Sequence, residues 1–394
     1  MTRLGPRARD QAWAWAELLR LPALFTIPGD AFAGAAALGA RPNSRTLLAI
    51  GSSLCLYEAG MALNDWADRA EDAVERPHRP LPSGRIHPAA ALAAAGALTA
   101  AGLALADRAG RPALAVAVPL AATVWAYDLT LKRTPAGPAA MATARGLDVL
   151  LGATATGSTS RSGHVFPSAT AACRTARRAL PSALALATHT LAVTTVSRGE
   201  TQGGSPVAPL AALATTGALA WALANGPAGT GQPGHPAAAW SQPAGDTPTA
   251  PEPAPLGGAK PRLGQAPGVT PSPGLSPTPG PTPGPTPGPT PGPTPGPGPG
   301  PSPGPAPRST PTPVTDTLRG ALTLAYAATS ARPLFHAALN PSPPLTQRAV
   351  GGGIRAMIPL QATLAARAGA PFTALLVAAL APAARKFARK VSVT

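Results

Sequence analysis

Long apolar stretches separated by short polar segments make up most of the chain. Each stretch carries few charges and has about the length needed to cross the hydrocarbon core of a bilayer as a helix. The stretches lie at 12–39, 46–63, 89–106, 112–128, 138–157, 181–196, 206–224, 318–338, 349–368 and 370–384. This pattern predicts an all-α, polytopic membrane protein with nine or ten membrane-spanning segments.

Residues 225–317 interrupt this pattern. They contain the tract TPGPTPGPTPGPTPGPGPGPSPGP within a background rich in Pro, Gly, Ala and Thr. Proline removes backbone donors and glycine loosens the chain, so we expect a disordered loop, not a helix or a sheet. The apolar parts, 1–224 and 318–394, are expected to form one transmembrane domain that this loop interrupts.

The composition supports a membrane protein and argues against a nucleic-acid partner. Apolar residues make up 45% of the chain and charged residues only 12%, with a net charge of +16. No basic block with interleaved aromatic residues appears, and the arginines lie mainly between apolar stretches, as membrane-flanking residues do. The expected partner is therefore the lipid bilayer, and the expected location is the cell membrane with multiple passes.

An acidic cluster follows the second apolar stretch, in NDWADRAEDAVERPHRPLPSGR at 64–85. On a helix, Asp65, Asp68 and Asp72 occupy one stripe and Asn64 lies at its edge. Mg²⁺ is held by a few carboxylates together with substrate phosphate oxygens, and such an ion would relieve their repulsion. The pattern favours a magnesium site, and the alternative is a solvated acidic helix end beside basic residues.

Several other polar side chains lie inside apolar stretches, where each needs a partner or a role. Glu58 either lines a cavity above the metal site or pairs with an arginine or a backbone donor. Asp30 is interpreted as a structural, hydrogen-bonded acid. For Arg145 and Asp148, an internal ion pair is expected from their i, i+3 spacing, and His189 is expected to be a packing hydrogen-bonder.

Two polar segments are expected at the same membrane face as the acidic cluster. YDLTLKRT places Tyr127, Lys132 and Arg133 where the cations could hold a diphosphate and the tyrosine could shape an acceptor. The alternative is an aromatic and basic interface anchor. SRGETQGG contains Arg198 and Glu200 within a glycine-rich turn that could bring a carboxylate near a phosphate or a metal.

These residues resemble the UbiA-type intramembrane prenyltransferases. The NDxxDxxxD pattern with its basic RP element is matched by Asn64, Asp65, Asp68, Asp72, Arg76, Arg79 and Pro80. The segment Tyr127 to Lys132 is similar to the Tyr and Lys element of that family. The second acidic motif of the family, usually two aspartates, is represented only by Glu200, which marks a divergent branch.

The resemblance implies about nine transmembrane helices around a central cavity and a Mg²⁺ cofactor held by both acidic motifs. It implies transfer of an isoprenyl group from an allylic diphosphate to an aromatic or other small lipophilic acceptor. Asp65, Asp68 and Asp72 are the expected catalytic residues. The expected metal ligands are Asn64, Asp65, Asp68, Asp72 and Glu200, and the expected substrate-binding residues are Arg76, Arg79, Tyr127, Lys132 and Arg198.

Two other functions remain open. One is a non-catalytic membrane transporter or lipid-binding protein on the same scaffold, which the incomplete second motif favours. The other is a structural protein of the cell envelope built on the Pro/Gly tract, but that tract leaves the acidic stripe unexplained.

Overall fold

The computed structural model describes residues 6–158, 169–199, 205–226 and 313–391, which are helical in most places and contain no strand within those ranges. They all belong to one compact unit, Met1–Gly234 with Ser309–Thr394, whereas a second unit, His235–Arg308, lies outside the described residues. Twelve α-helices follow one another: α1 Pro6–Leu18, α2 Ile27–Ala37, α3 Ser44–Ala67, α4 Arg69–Glu75, α5 Pro88–Ala109, α6 Arg111–Leu129, α7 Gly137–Gly157, α8 Ala169–Ser197, α9 Val207–Asn225, α10 Pro313–Leu339, α11 Pro343–Arg367 and α12 Pro371–Val391.

The all-α, polytopic membrane class predicted from the apolar pattern is confirmed. Five helices within the described ranges are long and apolar enough to cross a bilayer, namely α3, α5, α6, α9 and the part of α8 from Thr170 to Ser197. The helices α7, α10, α11 and α12 have 21 to 27 residues, which is also a sufficient length, but polar side chains lower their mean hydropathy. The exact number of membrane crossings stays a prediction.

The apolar stretch 12–39 is not one continuous helix. The segment is divided into α1, a 3₁₀-helix at Leu21–Thr26, and α2. Arg20 has φ 48°, a left-handed conformation that ends α1, and a proline stands in the first turn of both following elements. Proline is accepted there because its missing N–H has no helical partner in a first turn.

The boundaries of α3 follow from local hydrogen bonding. Its N-cap is Asn43, whose side chain accepts from the backbone N–H of Arg45 and Thr46, which satisfies donors that a helix start leaves unpaired. At the other end, α3 stops at Ala67 because Asp68 takes φ −89° and ψ 3° between α3 and α4. The acidic motif therefore lies on two helices joined at Asp68.

Close packing of α2 against α7 positions the interior charges. A Cβ at Gly34 would overlap the backbone carbonyl of Val149, and a Cβ at Gly152 would overlap the backbone of Ala31. Only glycine allows this approach, which is the way that small residues bring helices together in membranes. The contact places α2 directly beside the polar residues of α7.

The helices that follow the Pro/Gly segment complete the same core. Helix α10 packs on α9 and α11, and α11 packs on α2 and α8. Gln361 of α11 donates hydrogen bonds to the carbonyl oxygen of Thr26 and to Asp30 Oδ1, at 2.7 and 2.8 Å. The C-terminal helices thus contact the first helices of the chain.

Candidate active site

Asp65 and Asp72 of the acidic motif converge on one arginine. Arg79 Nη1 lies 3.4 Å from Asp65 Oδ1 and 2.8 Å from Asp72 Oδ2. Backbone hydrogen bonds continue across the junction of α3 and α4: the N–H of Asp68 donates to the carbonyl of Asn64, and that of Asp72 donates to the carbonyl of Asp68. The chain therefore stays helical enough for Asp65 and Asp72, seven positions apart, to lie on the same side. Arg76 approaches Asp72 less closely, at 3.7 Å. The RP element thus folds back onto the acids that precede it.

Arg20 is a site residue that the sequence did not indicate. Its Nη2 lies 3.1 Å from Asp65 Oδ1, so Asp65 stands between two guanidinium groups. A charged residue immediately before a Leu-Pro pair, inside an otherwise apolar run, was the available signal. Nothing in the local sequence indicates that it meets an acid 45 positions later.

Asp68 faces a different partner set. Lys132 Nζ lies 2.7 Å and Arg133 Nη2 3.2 Å from its Oδ1, and Arg133 also binds Glu71 at 2.8 Å. The structure therefore places the YDLTLKRT segment against the acidic motif. Of the three aspartates in the motif, Asp65 and Asp72 thus share Arg79, whereas Asp68 pairs with Lys132.

Arg198 contacts the segment that carries Lys132 and Arg133. Its Nη1 donates to the backbone carbonyl of Thr134 at 2.6 Å, just beyond Lys132 and Arg133. Glu200, the expected ligand from the second motif, lies outside the described residues, so its position relative to Asp65 and Asp72 stays a prediction.

A cavity of about 220 Å³ opens between α3, α6 and α7. Its walls are largely apolar: Leu56, Gly60, Met61, Leu120, Val124, Ala140, Met141 and Ala144. One end, here called the acidic end, is lined by Arg20, Asn64, Tyr127 and Asp128, and Asn64 Nδ2 donates to Asp128 Oδ1 at 3.1 Å. Through Arg20, this end connects directly to Asp65.

The other end of the cavity, here called the deep end, is lined by Ser53, Tyr57, Arg145 and Asp148. The internal Arg145–Asp148 ion pair expected from their spacing is wrong, because Arg145 Nη1 binds Asp30 Oδ2 of α2 instead. Asp30 is fully buried and also accepts from Gln361, which confirms it as a hydrogen-bonded structural acid.

Two further intramembrane groups lie away from the cavity. Glu58 is buried, does not line the cavity, and has no hydrogen-bond partner for either carboxylate oxygen within the described ranges. Both hypotheses about Glu58, a cavity-lining role and a pairing, are therefore wrong for the described part of the chain. His189 contacts the hydroxyl of Tyr326 at 3.1 Å and the carbonyl oxygen of Gly353 at 3.0 Å, which confirms its packing role.

The acidic motif supplies carboxylate oxygens of the kind that Mg²⁺ binds, but it supplies only part of a full ligand set. In the described part of the chain, no three His, Cys, Asp or Glu side chains form a ready metal cluster. Asp65 and Asp72 nevertheless converge closely enough to share Arg79, and Mg²⁺ is commonly held by one or two carboxylates plus substrate phosphates. These two acids are the residues best placed to hold the ion.

Helices of membrane-spanning length surround a largely apolar cavity, and Arg20 links this cavity to the paired acids, so the chain has the features of an integral membrane protein with an interior site. Residues 23–231 match the model of the UbiA prenyltransferase family. The match covers more than half of the 394 residues, and the chain belongs to this family.

Similar proteins agree with this assignment. The digeranylgeranylglyceryl phosphate synthase of Methanopyrus kandleri is 35% identical over 127 residues, which are 31% of this chain and 45% of that protein. The enzyme of the same name from Methanothrix thermoacetophila is 39% identical over 107 residues, 27% of this chain and 40% of that protein. The chain thus spans less than half the length of these curated relatives.

Two solved structures are also similar. One, from a study of digeranylgeranylglyceryl phosphate synthase in membranes, has a TM-score of 0.48 and 13% identity, and covers 91% of this chain and 99% of that one. The other, an apo UbiA homologue from Aeropyrum pernix K1, has a TM-score of 0.43 and 21% identity over 51% of this chain and 76% of that one.

Proposed function

We propose that the protein is a Mg²⁺-dependent prenyltransferase of the cell membrane that moves an isoprenyl group from an allylic diphosphate to a lipophilic acceptor. The observation that carries this proposal is the convergence of Asp65 and Asp72 on Arg79, linked through the Arg20–Asp65 ion pair to a cavity with apolar walls. A charged head and an apolar tail are the two parts of an allylic diphosphate.

The acidic end suits the diphosphate. Mg²⁺ held by Asp65 and Asp72 would neutralise negative charge on the leaving diphosphate. Arg20, Arg79 and Lys132 already lie beside the acids and supply further positive charge at the point where charge develops. Tyr127 and Asn64 line the adjoining part of the cavity, where they can orient the first carbons of the isoprenyl chain.

The apolar walls suit the allylic cation that forms when the carbon–oxygen bond breaks. Leu56, Leu120 and Val124 exclude water, which would otherwise quench that cation. Tyr57 lines the same cavity toward its deep end, and an aromatic ring there would attract a cation. Chemistry in this cavity would therefore favour transfer to the bound acceptor over hydrolysis.

The name shared by the relatives indicates the substrate class. A digeranylgeranylglyceryl phosphate contains isoprenoid groups on a glyceryl phosphate, so those enzymes act on an isoprenoid donor and a glyceryl acceptor. We extend this to an isoprenoid diphosphate donor and a hydroxyl-bearing lipophilic acceptor for this chain. The domain arrangement that we propose is one transmembrane domain interrupted by an inserted loop. The loop expected at 225–317 is shorter at both ends, because α9 extends to Asn225 and α10 begins at Pro313.

The experiment compares Asp65→Asn with Glu71→Gln in proteoliposomes supplied with labelled geranylgeranyl diphosphate. Asp65→Asn removes one of the two converging carboxylates, and we expect Mg²⁺-dependent pyrophosphate release to fall by about 100-fold or more. Glu71→Gln removes an exposed carboxylate of α4 that, among the described residues, forms an ion pair with Arg133, and we expect little change. Retained pyrophosphate release in Asp65→Asn would refute the assignment.

The alternative is a transporter or lipid-binding protein without transferase chemistry. It is favoured by the pairing of all three motif aspartates with arginine or lysine in the described part of the chain. Such a protein would bind the diphosphate without releasing pyrophosphate. The same assay therefore separates the two hypotheses.

A further inference from the structure

The end of the helix bundle opposite the acidic motif, here called the far end, has no part in the proposed function. Helix α3 begins at the far end, because the acidic motif lies at its other end. The ends of α5 and α7 lie there too, since Arg45 Nη1 donates to the carbonyl oxygens of Ala109 and Ser158 at 3.4 and 3.1 Å. Helix α8 begins beside them, because Ala171 and Thr175 line a small cleft together with Ser158.

Arginines outnumber acids at the far end. The loop before α3, the junction of α5 with α6 and the first turns of α8 carry Arg41, Arg45, Arg108, Arg111, Arg174, Arg177 and Arg178. Among the described residues of these segments, Asp107 is the only acid. Arg45 is engaged by the helix-end carbonyls.

The three arginines of α8 differ from Arg45 because they have no partner. Arg174, Arg177 and Arg178 are exposed and form no hydrogen bond or ion pair with another described residue. They are three and four positions apart on one helix, where like charges repel each other. An anionic partner outside the chain would relieve this repulsion.

The length of α8 places these arginines at the level of lipid headgroups. The part of α8 from Ala179 to Ser197 contains no Asp, Glu, Lys or Arg and is about 28 Å long at the rise of an α-helix. The hydrocarbon core of a bilayer is about 30 Å thick. Arg174, Arg177 and Arg178 lie in the turns just before this part, so they are expected beside the phosphate groups of one leaflet.

An exposed apolar stripe of α8 continues from Arg177 toward the other end of the helix. Leu180, Leu184 and Leu191 follow Arg177 at i+3, i+7 and i+14, which places them on the same face. Their exposed fractions are 43%, 56% and 41%. A basic group above an apolar stripe matches the phosphate and the acyl chain of a phospholipid. A free phosphate ion would use only the basic group.

We propose that the far end binds an anionic phospholipid, with Arg174, Arg177 and Arg178 at its phosphate and the leucine stripe of α8 along an acyl chain. Guanidinium groups bind phosphate oxygens with two parallel hydrogen bonds. Each arginine close to an anionic lipid surface strengthens binding by about fivefold. The inference is independent of the proposed function, because none of these arginines lines the large cavity or pairs with the acidic motif.

The test measures binding of phosphatidylglycerol and phosphatidylcholine to the full-length protein in detergent by native mass spectrometry. The test variant replaces the three arginines of α8 with glutamine: Arg174→Gln, Arg177→Gln and Arg178→Gln. The control variant removes the same number of charges from exposed positions of α1 and α12: Arg9→Gln, Arg385→Gln and Lys386→Gln. A third variant keeps the charge at the far end: Arg174→Lys, Arg177→Lys and Arg178→Lys.

We expect the wild type to bind phosphatidylglycerol at least about tenfold more tightly than phosphatidylcholine. The glutamine variant of α8 should lose phosphatidylglycerol affinity by about tenfold or more, because three charges near the headgroup are removed. Its affinity for phosphatidylcholine should not change. The control variant and the lysine variant should stay within about threefold of the wild type.

Four results would overturn the inference. Two concern affinity: equal binding of both lipids by the wild type, and undiminished phosphatidylglycerol binding by the glutamine variant of α8. The third is an equal loss in the control variant, which would indicate a general effect of net charge. The fourth is displacement of bound phosphatidylglycerol by an equal concentration of inorganic phosphate, which would assign the arginines to a free phosphate ion. An equal loss in the lysine and glutamine variants would likewise contradict a role of charge.

Discussion

Arg79 holds the acidic motif together at the scale of single residues. It lies within 3.4 Å of both Asp65 and Asp72, whose side chains are only 5% exposed. Two carboxylates so close and so buried repel each other unless a cation lies between them. Removing one partner of a buried ion pair leaves an unpaired charge, and this costs far more than the loss of a surface pair.

We therefore expect Arg79→Met to lower the free energy of unfolding by about 2–3 kcal/mol. Arg76→Met is the matched control for stability, because Arg76 lies 3.7 Å from Asp72 and is 45% exposed, and its loss should cost less than about 1 kcal/mol. Thermal unfolding in detergent measures both. Equal destabilisation by the two variants would contradict a bridging role for Arg79.

The sequence predicted residue types at the site better than it predicted residue pairs. The acidic motif, its RP element and the Tyr-Lys segment could be identified because each is a local pattern. The pairs Arg20–Asp65 and Asp30–Arg145 could not, since their partners are 45 and 115 positions apart and depend on how helices pack. Local spacing instead suggested Arg145–Asp148, which the structure does not form.

At the scale of helices, the crossing of α2 and α7 depends on glycine. A Cβ on Gly152 would lie 2.7 Å from the backbone oxygen and 2.9 Å from the carbonyl carbon of Ala31. These are backbone atoms, which cannot rotate away as a flexible side chain would. The helices would have to separate, and the contact between Asp30 and Arg145 would loosen with them.

Gly152→Ala is accordingly expected to destabilise the protein by about 1–3 kcal/mol through overpacking. Gly96→Ala in α5 provides the control, because nothing lies within 4 Å of the position of its Cβ; there the change should be neutral or stabilise by up to about 1 kcal/mol. The measurement is the thermal unfolding midpoint of each variant. A neutral Gly152→Ala would show that the two helices are not tightly packed.

Element positions were largely predictable because apolar stretches of spanning length have few alternatives in a membrane. Each of the ten predicted stretches corresponds to helical structure in the described residues. The exception is 12–39, where Arg20 adopts a left-handed conformation and prolines begin two new elements. Prolines near an apolar run indicate a possible break, but the direction in which the chain turns depends on tertiary contacts.

At the scale of the whole molecule, the inserted loop is proposed to be dispensable for catalysis. Helices α9 and α10, which flank it, pack against each other. We expect a protein in which residues 230–310 are replaced by a flexible Gly/Ser linker to keep its Mg²⁺-dependent pyrophosphate release and its unfolding midpoint. A structural protein of the cell envelope would lose its role in the same variant. Loss of both measured properties would show instead that the loop belongs to the folded domain.

The hydrogen bond from Gln361 to Asp30 has a consequence for biosynthesis. The two residues are 331 positions apart, so the ribosome completes most of the chain before this contact can form. Until then, the nascent helices α2 and α7 hold an acid and a guanidinium in the bilayer without their third partner. Translation products that stop within the Pro/Gly tract lack Gln361, so their Asp30 and Arg145 remain without this partner in the interior. Such products are expected to be removed by membrane proteases.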